Sequence, residues 1–125
     1  MKLSTAKKKL WKLVSEYIRR KDATVDGLVE CCTCGKFAHW KEMDAGHFVG
    51  GHLSYNYFDE RNIHCQCTGC NRFRHGALLE YNDFMLKKYG KKVVNDLRQY
   101  KVKQWKVWEL EELMEEYKKK LSEFN

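Results

Sequence analysis

The chain has 125 residues, with 24 lysines and arginines against 17 aspartates and glutamates for a net charge of +7, six cysteines and no proline. With 43% hydrophobic and 33% charged residues it reads as one globular domain rather than a disordered tail. No apolar run approaches the roughly 18–20 residues of a membrane span.

Leu3, Leu10, Trp11, Val14, Tyr17 and Ile18 recur at helical spacing, which predicts a first helix with Ser4 or Thr5 as its N-cap and an end near Lys21. Lys7, Lys8 and Lys9 have no apolar signal segment behind them, so a cytoplasmic setting is expected rather than export. Residues 1–22 carry eight Lys or Arg against Glu16 and Asp22, a local +6, while the rest is near balance. Such a segment suits a polyanion, usually nucleic acid, with Lys7, Lys8, Lys9, Lys12, Arg19 and Arg20 as phosphate contacts; lysines also simply solvate helix faces.

From about Val25 to Arg61 the helical period disappears, glycines at 27, 35, 46, 50 and 51 punctuate short segments, and a strand is expected around Asp44–Val49 with a loop after it. A helix should begin within "CTGCNRFRHG" and be interrupted or ended near Gly76. Another covers Ala77–Tyr89 and stops at Gly90, and Val93, Val94, Leu97 and Tyr100 continue in a further short helix. In the last segment Val107, Leu110, Met114, Tyr117, Leu121 and Phe124 alternate three and four residues apart, with Glu115–Lys119 and Glu116–Lys120 as i,i+4 pairs. That stripe either packs on its own domain or joins two copies. The organisation expected is a basic helix over 1–24, a core over 25–90 and helices over 91–125 containing a possible dimerisation segment.

Cys31-x-x-Cys34-Gly35 and Cys67-x-x-Cys70 are two CxxC pairs with 32 residues between them. In a reducing compartment short-spaced cysteines are metal ligands or redox pairs before they are disulfides, and no βαβ pattern surrounds these to suggest a thioredoxin-like role. Two thiolates from each tight turn complete a tetrahedron around Zn²⁺ at about 2.3 Å per bond. A glycine after the second cysteine lets the knuckle turn sharply. Cys32 and Cys65 are too closely spaced with their neighbours to join, and are read as small buried or half-exposed thiols.

Between the two halves lies "MDAGHFVGGH", and directly after the second comes Asn71. A strand with a histidine, a loop, and a helix opening with Cys-x-x-Cys-Asn resembles the ββα-metal, or HNH, nucleases over residues 31–75, with Asn62 at that family's loop-anchoring position. Over about 29–90, "DAGHF" with "NIHCQC..CNRF.HG" resembles the narrower phage lambda NinG/Rap family of recombination nucleases, which cut branched DNA such as D-loops and Holliday junctions. The fold implied is α+β, mainly helical: a zinc-stapled ββα-metal core with flanking N- and C-terminal helices.

The resemblance implies a general base at His47, since a histidine can take a proton from water near neutral pH. It also implies one Mg²⁺ or Mn²⁺ on hard oxygens, the Asn71 amide among them. The family commonly has Asp immediately before the base histidine; this chain has Gly46. Asp44 is the nearest substitute, but on a strand it points opposite to His47, so a bend or bulge is expected if both reach one metal. Alternatively His47 itself binds the metal and His52 or His64 is the base, although His64 is read first as a structural hydrogen-bonding group under the loop. Arg72, Arg74 and His75 form a phosphate clamp or a solvated surface, and His75 can also neutralise the leaving group. Phe37, Trp40, Phe48, Tyr55, Tyr57 and Phe58 either stack on unpaired bases or fill the core. Paired cutting of a four-way junction needs two active sites, hence an expected homodimer; nothing in the residues points to a recombinase partner. The competing reading is a zinc-stapled DNA-binding module without catalysis.

Overall fold

The computed structural model describes residues 1–124. The first helix, α1 (Leu3–Arg20), buries Ala6, Leu10, Val14 and Ile18, each at most 1% exposed, along one face at four-residue spacing. It starts before the expected caps: Ala6 N–H already bonds Lys2 O at 3.0 Å, so Ser4 and Thr5 lie inside the first turn. Against this face packs α4 (Val107–Ser122), which contributes Leu110, Met114 and Tyr117 to the same core as Ala45, Phe58 and Ile63. The heptad stripe is therefore consumed within the chain rather than presented to a second copy. A stripe of that period reports that a helix face is buried, not against what.

Two antiparallel hairpins fill the middle. β1 (Leu28–Glu30) pairs with β2 (Phe37–His39), and β3 (Met43–His47) pairs with β4 (Ile63–Cys67). The β3–β4 register runs unbroken from Met43↔Cys67 to His47↔Ile63, so the expected bulge is absent. One face of this ribbon, with Ala45 and Ile63, lies on α1; the other carries Asp44, Gly46, His64 and Gln66. The intervening loop is anchored by Asn62, which is fully buried: its Nδ2 donates to Val49 O (2.9 Å) and Asn56 O (3.1 Å), and its Oδ1 accepts from Val49 N–H (2.8 Å).

After β4 the helix expected from "CTGCNRFRHG" is a single π-helical turn, Gly69–Phe73. It is broken by three successive left-handed residues, His75 (φ 51°), Gly76 (φ 87°) and Ala77 (φ 47°). Non-glycine residues hold that conformation at a cost of roughly 1–2 kcal/mol each. Then follow α2 (Leu78–Tyr89), ended by Gly90 at φ 89°, and α3 (Lys91–Leu97). With Phe48 from the ribbon's end, Tyr81, Met85, Val94 and Leu97 of these helices form a separate core.

Candidate metal centre and the cleft beside it

The four knuckle sulfurs converge. Those of Cys31, Cys34, Cys67 and Cys70 all lie within 4.8 Å of one another, and the group can hold a metal ion. Cys34 Sγ and Cys67 Sγ are 3.7 Å apart, close to the roughly 3.8 Å edge of a tetrahedron with 2.3 Å metal–sulfur bonds. The backbone is shaped for this: Gly35, at φ 79°, closes the first knuckle with its N–H on Cys31 O at 3.0 Å, and Cys70 N–H points at Cys67 Sγ at 3.4 Å. Burial pushes the Cys31 thiol up, but hydrogen bonds from the Thr33 hydroxyl and the Cys67, Cys34 and Thr33 backbones outweigh it and hold it at about 6. At Cys34 a backbone hydrogen bond from Lys36 lowers the thiol, but burial and the neighbouring sulfurs drive it to about 12. So many sulfurs in one place cannot all ionise without a cation among them. Cys32 and Cys65 stand outside the cluster, and burial raises both, Cys65 to about 12.

Beside this centre opens a cleft of ≈ 820 Å³ lined by Trp11, Ser15 and Arg19 of α1, by Lys41, by Asp44 and His47 of β3, by His52, Tyr57, Asn71, Arg72 and His75, and by other residues. Asp44 and His47 project from opposite faces of β3, yet both line it. Among the described residues β3 pairs with β4 alone, and the cleft takes lining side chains from both of its faces.

His47 is half-buried and stacks on both Trp11 (ring centroids 4.7 Å, 21°) and Tyr57 (4.5 Å, 26°), which themselves meet at 5.5 Å, so the three rings form a triangular cluster. Its Nε2 lies 2.8 Å from Tyr57 O. A carbonyl only accepts, so Nε2 carries the hydrogen and Nδ1 is left with a bare lone pair. Burial, with nearby His52, outweighs the carbonyl and lowers the imidazole pKa. The ring is neutral at pH 7 and equipped to take a proton.

Asp44 meets Asn71 and Arg72 from the π-helical turn: Asn71 Nδ2 donates to Oδ2 at 3.1 Å, Arg72 Nε to Oδ2 at 3.0 Å and Arg72 Nη2 to Oδ1 at 3.2 Å. Because Asn71 follows Cys70 directly, the sulfur cluster sets where this turn begins. His75, exposed, lies on the same rim.

Other expected residues fall elsewhere. His64 faces α2, not the loop and not the cleft. Tyr81 spends its hydroxyl hydrogen on Gly46 O (2.7 Å), so it accepts from His64 Nδ1–H (3.1 Å), and Tyr89 O–H donates to His64 Nε2 (2.8 Å). Burial, aided by Lys21 and Lys88, lowers His64 to about 3. It is structural. Arg20 pairs with Glu16 (3.0 Å) and lies over Trp40 and Phe124, away from the cleft, and Arg74 pairs with Glu80 (2.7 Å). Lys8 and Lys12 precede Trp11 and Ser15 by three residues and continue the cleft-side flank of α1, with Lys7 and Lys9 on neighbouring faces. Arg19 is held on the cleft wall by Ser15 O (3.1 Å) and Trp40 O (3.1 Å). Of the aromatics, Phe48 and Phe58 are core, Tyr57 stacks on His47, and Phe37 is 59% exposed.

Sequence reasoning missed Trp11, read only as core, and Gln66. The Trp11–Ser15–Arg19 spacing was the available signal for a second, polar flank on α1.

Mixed α+β architecture, a four-cysteine centre able to hold a metal ion and a cationic cleft define a small protein of its own class, and no helix among the described residues is long and apolar enough to cross a membrane. The family profile described as NinG, Bacteriophage Lambda NinG protein, matches residues 1–125. Curated relatives named Protein ninG include those of Salmonella phage P22 (32% identical over 114 residues), Escherichia phage 933W (31% over 114) and Escherichia phage lambda (30% over 114). Each alignment covers 88% of this chain and 52–53% of the relative, so the chain spans about half the length of the curated relatives it matches. The chain belongs to the NinG family of phage proteins. No solved structure matches it.

Proposed function

We propose that this chain is a divalent-cation-dependent endonuclease of HNH type that hydrolyses phosphodiester bonds in branched DNA, with Zn²⁺ held structurally by Cys31, Cys34, Cys67 and Cys70. The observation that carries the reading is the convergence of a neutral imidazole with a bare Nδ1 and an aspartate–asparagine pair in one cationic cleft. The fit of a hard cation follows from the donor set. Asp44 and Asn71 offer adjacent oxygen-bearing groups, and the Asp44 carboxylate already draws the Arg72 guanidinium onto both its oxygens. When bound there, Mg²⁺ or Mn²⁺ supplies charge neutralisation at the scissile phosphate.

His47 Nδ1 takes the proton of the attacking water, while Trp11, Tyr57 and the Tyr57 carbonyl fix the ring and its tautomer. Arg19 and Lys41 bind the phosphate backbone, and Arg72, released from Asp44, joins them. His75, exposed on the rim of the cleft, is the proposed donor to the leaving oxygen. Preference for D-loops and four-way junctions follows the family resemblance, and paired cutting of a junction calls for two copies of this site.

One observation favours a second reading, a DNA-binding module without catalysis: Arg72 is itself a cation on Asp44 and can stand there permanently. Incubating the zinc-loaded protein with four-way junction, D-loop and linear duplex separates the two. The nuclease cuts with Mg²⁺ or Mn²⁺ and loses the activity with EDTA and in folded His47→Ala. Salt-sensitive binding without cutting in either cation refutes it and leaves the module.

A further inference from the structure

Gln66 lies on β4 directly opposite Asp44 and is fully buried. Its Nε2 is well used, donating to Gly76 O (2.9 Å) and Thr33 Oγ1 (3.2 Å), but its Oε1 has no hydrogen-bond partner. That oxygen is aimed at Gly46. A Cβ added there would collide with Gln66 Oε1 and come to 3.0 Å from Asn71 Oδ1. The carboxamide of Gln66 thus occupies the room that an aspartate at 46 would need, which accounts for glycine at that position. It also brings two acceptor oxygens, from Gln66 and Asn71, to the same flank of Gly46, because the other end of the Asn71 amide, Nδ2, is turned to Asp44.

We propose that Gln66 is the positioning residue for Asn71, an inference that rests on the cation reading of the cleft. As it stands, Asn71 shows Asp44 its NH₂ group, which suits a carboxylate with no metal and repels a cation. A half-turn of the amide exchanges its ends. Oδ1 then faces the cation beside Asp44, and Nδ2 donates to Gln66 Oε1, the buried acceptor that otherwise stays unpaired. Groups that orient a metal ligand in this way are typically worth 10–100-fold in metal affinity. Gln66 therefore does indirectly, through Asn71, part of what an aspartate before the histidine would do directly.

The test is Mn²⁺ affinity of the full zinc-loaded chain, read from the electron paramagnetic resonance of free Mn²⁺. Gln66→Met keeps the side-chain length and removes the acceptor; Asn71→Asp removes the NH₂ group and with it any use for the acceptor. The expected result is a loss of roughly 10-fold or more for Gln66→Met in the native background and none when Asn71→Asp is already present. Addition of Mg²⁺ should also shift the Asn71 side-chain amide resonances in the native chain but not in Gln66→Met. Equal losses in both backgrounds would mean that Gln66 only supports the fold, and no loss in either would leave it no role; each overturns the proposal. If Gln66→Met does not fold, Gly46→Ala, whose Cβ displaces Gln66 Oε1, should reproduce the loss, and unchanged affinity there overturns the proposal equally. Native protein whose Mn²⁺ uptake is absent or indifferent to Asp44→Ala refutes the cation reading itself, whereas normal uptake through Asp44 and Asn71 with no effect of residue 66 refutes this inference alone.

Discussion

His64 makes the fold sensitive to acid in a way that can be isolated. The side chain is 6% exposed, and both ring nitrogens are committed to tyrosines of α2, one accepting from Tyr89 and one donating to Tyr81. Burial, with Lys21 and Lys88, lowers its pKa from 6.5 to about 3, so it stays neutral in the folded chain while the unfolded chain takes up a proton below about 6.5. Its contribution is constant above that value and declines as pH falls towards 3, because the unfolded state binds the extra proton. At pH 5 the difference amounts to about 2 kcal/mol, a large fraction of a small domain's stability. The comparison is urea unfolding at pH 7.5, 6 and 5 for the native chain and His64→Gln. The variant starts lower, by about 1–3 kcal/mol for the broken hydrogen bonds, but its stability should fall by about 2 kcal/mol less between pH 7.5 and 5. Acid effects on the cysteine centre and on His47 are common to both proteins and cancel. Parallel curves would show that His64 is protonated in the folded state, and the hydrogen-bond chain to Gly46 would have to be drawn differently.

Elemental analysis should find one zinc per chain, lost in Cys70→Ser, and since such sites supply about 10–16 kcal/mol the metal-free chain should lose the β3–β4 ribbon by circular dichroism and become sensitive to protease. Leu110→Ala, at a fully buried contact of α4 with α1, should cost about 2–5 kcal/mol in thermal or urea unfolding without changing the sedimentation coefficient, whereas dissociation of a dimer would place the heptads between copies. Junction cleavage should rise with pH and level off, its acid limb lying below 6.5 because burial lowers His47, and folded His47→Ala should lose about 10²–10⁴-fold in rate; an acid limb above 6.5 would point to another base.

Some of this was legible in the residues and some was not, for identifiable reasons. Two CxxC pairs carry their meaning in local spacing, so the sulfur centre was readable without knowing how the chain folds between them. Asn62 could be matched to a loop anchor because it stands at a fixed offset before Cys67, and it does bond across the loop to Val49 and Asn56. The stripe from Val107 onward announced a buried face, but whether α1 or a second chain covers it depends on long-range packing that periodicity does not contain. Strand alternation separated Asp44 from His47 correctly; what it could not tell was that one cleft is lined from both faces of β3. Gln66 was invisible for a similar reason. A lone glutamine on a strand carries no pattern, and its meaning appears only when Gly46 across the ribbon leaves room for its amide.

The most direct measurement is anomalous diffraction from crystals of the protein grown with zinc and soaked in Mn²⁺. A zinc peak should lie among Cys31, Cys34, Cys67 and Cys70, with a separate manganese peak between Asp44 and Asn71 and the Arg72 guanidinium displaced from the carboxylate. A cleft without manganese, with Arg72 still on Asp44 at saturating Mn²⁺, would contradict the nuclease reading and leave a stapled nucleic-acid-binding module.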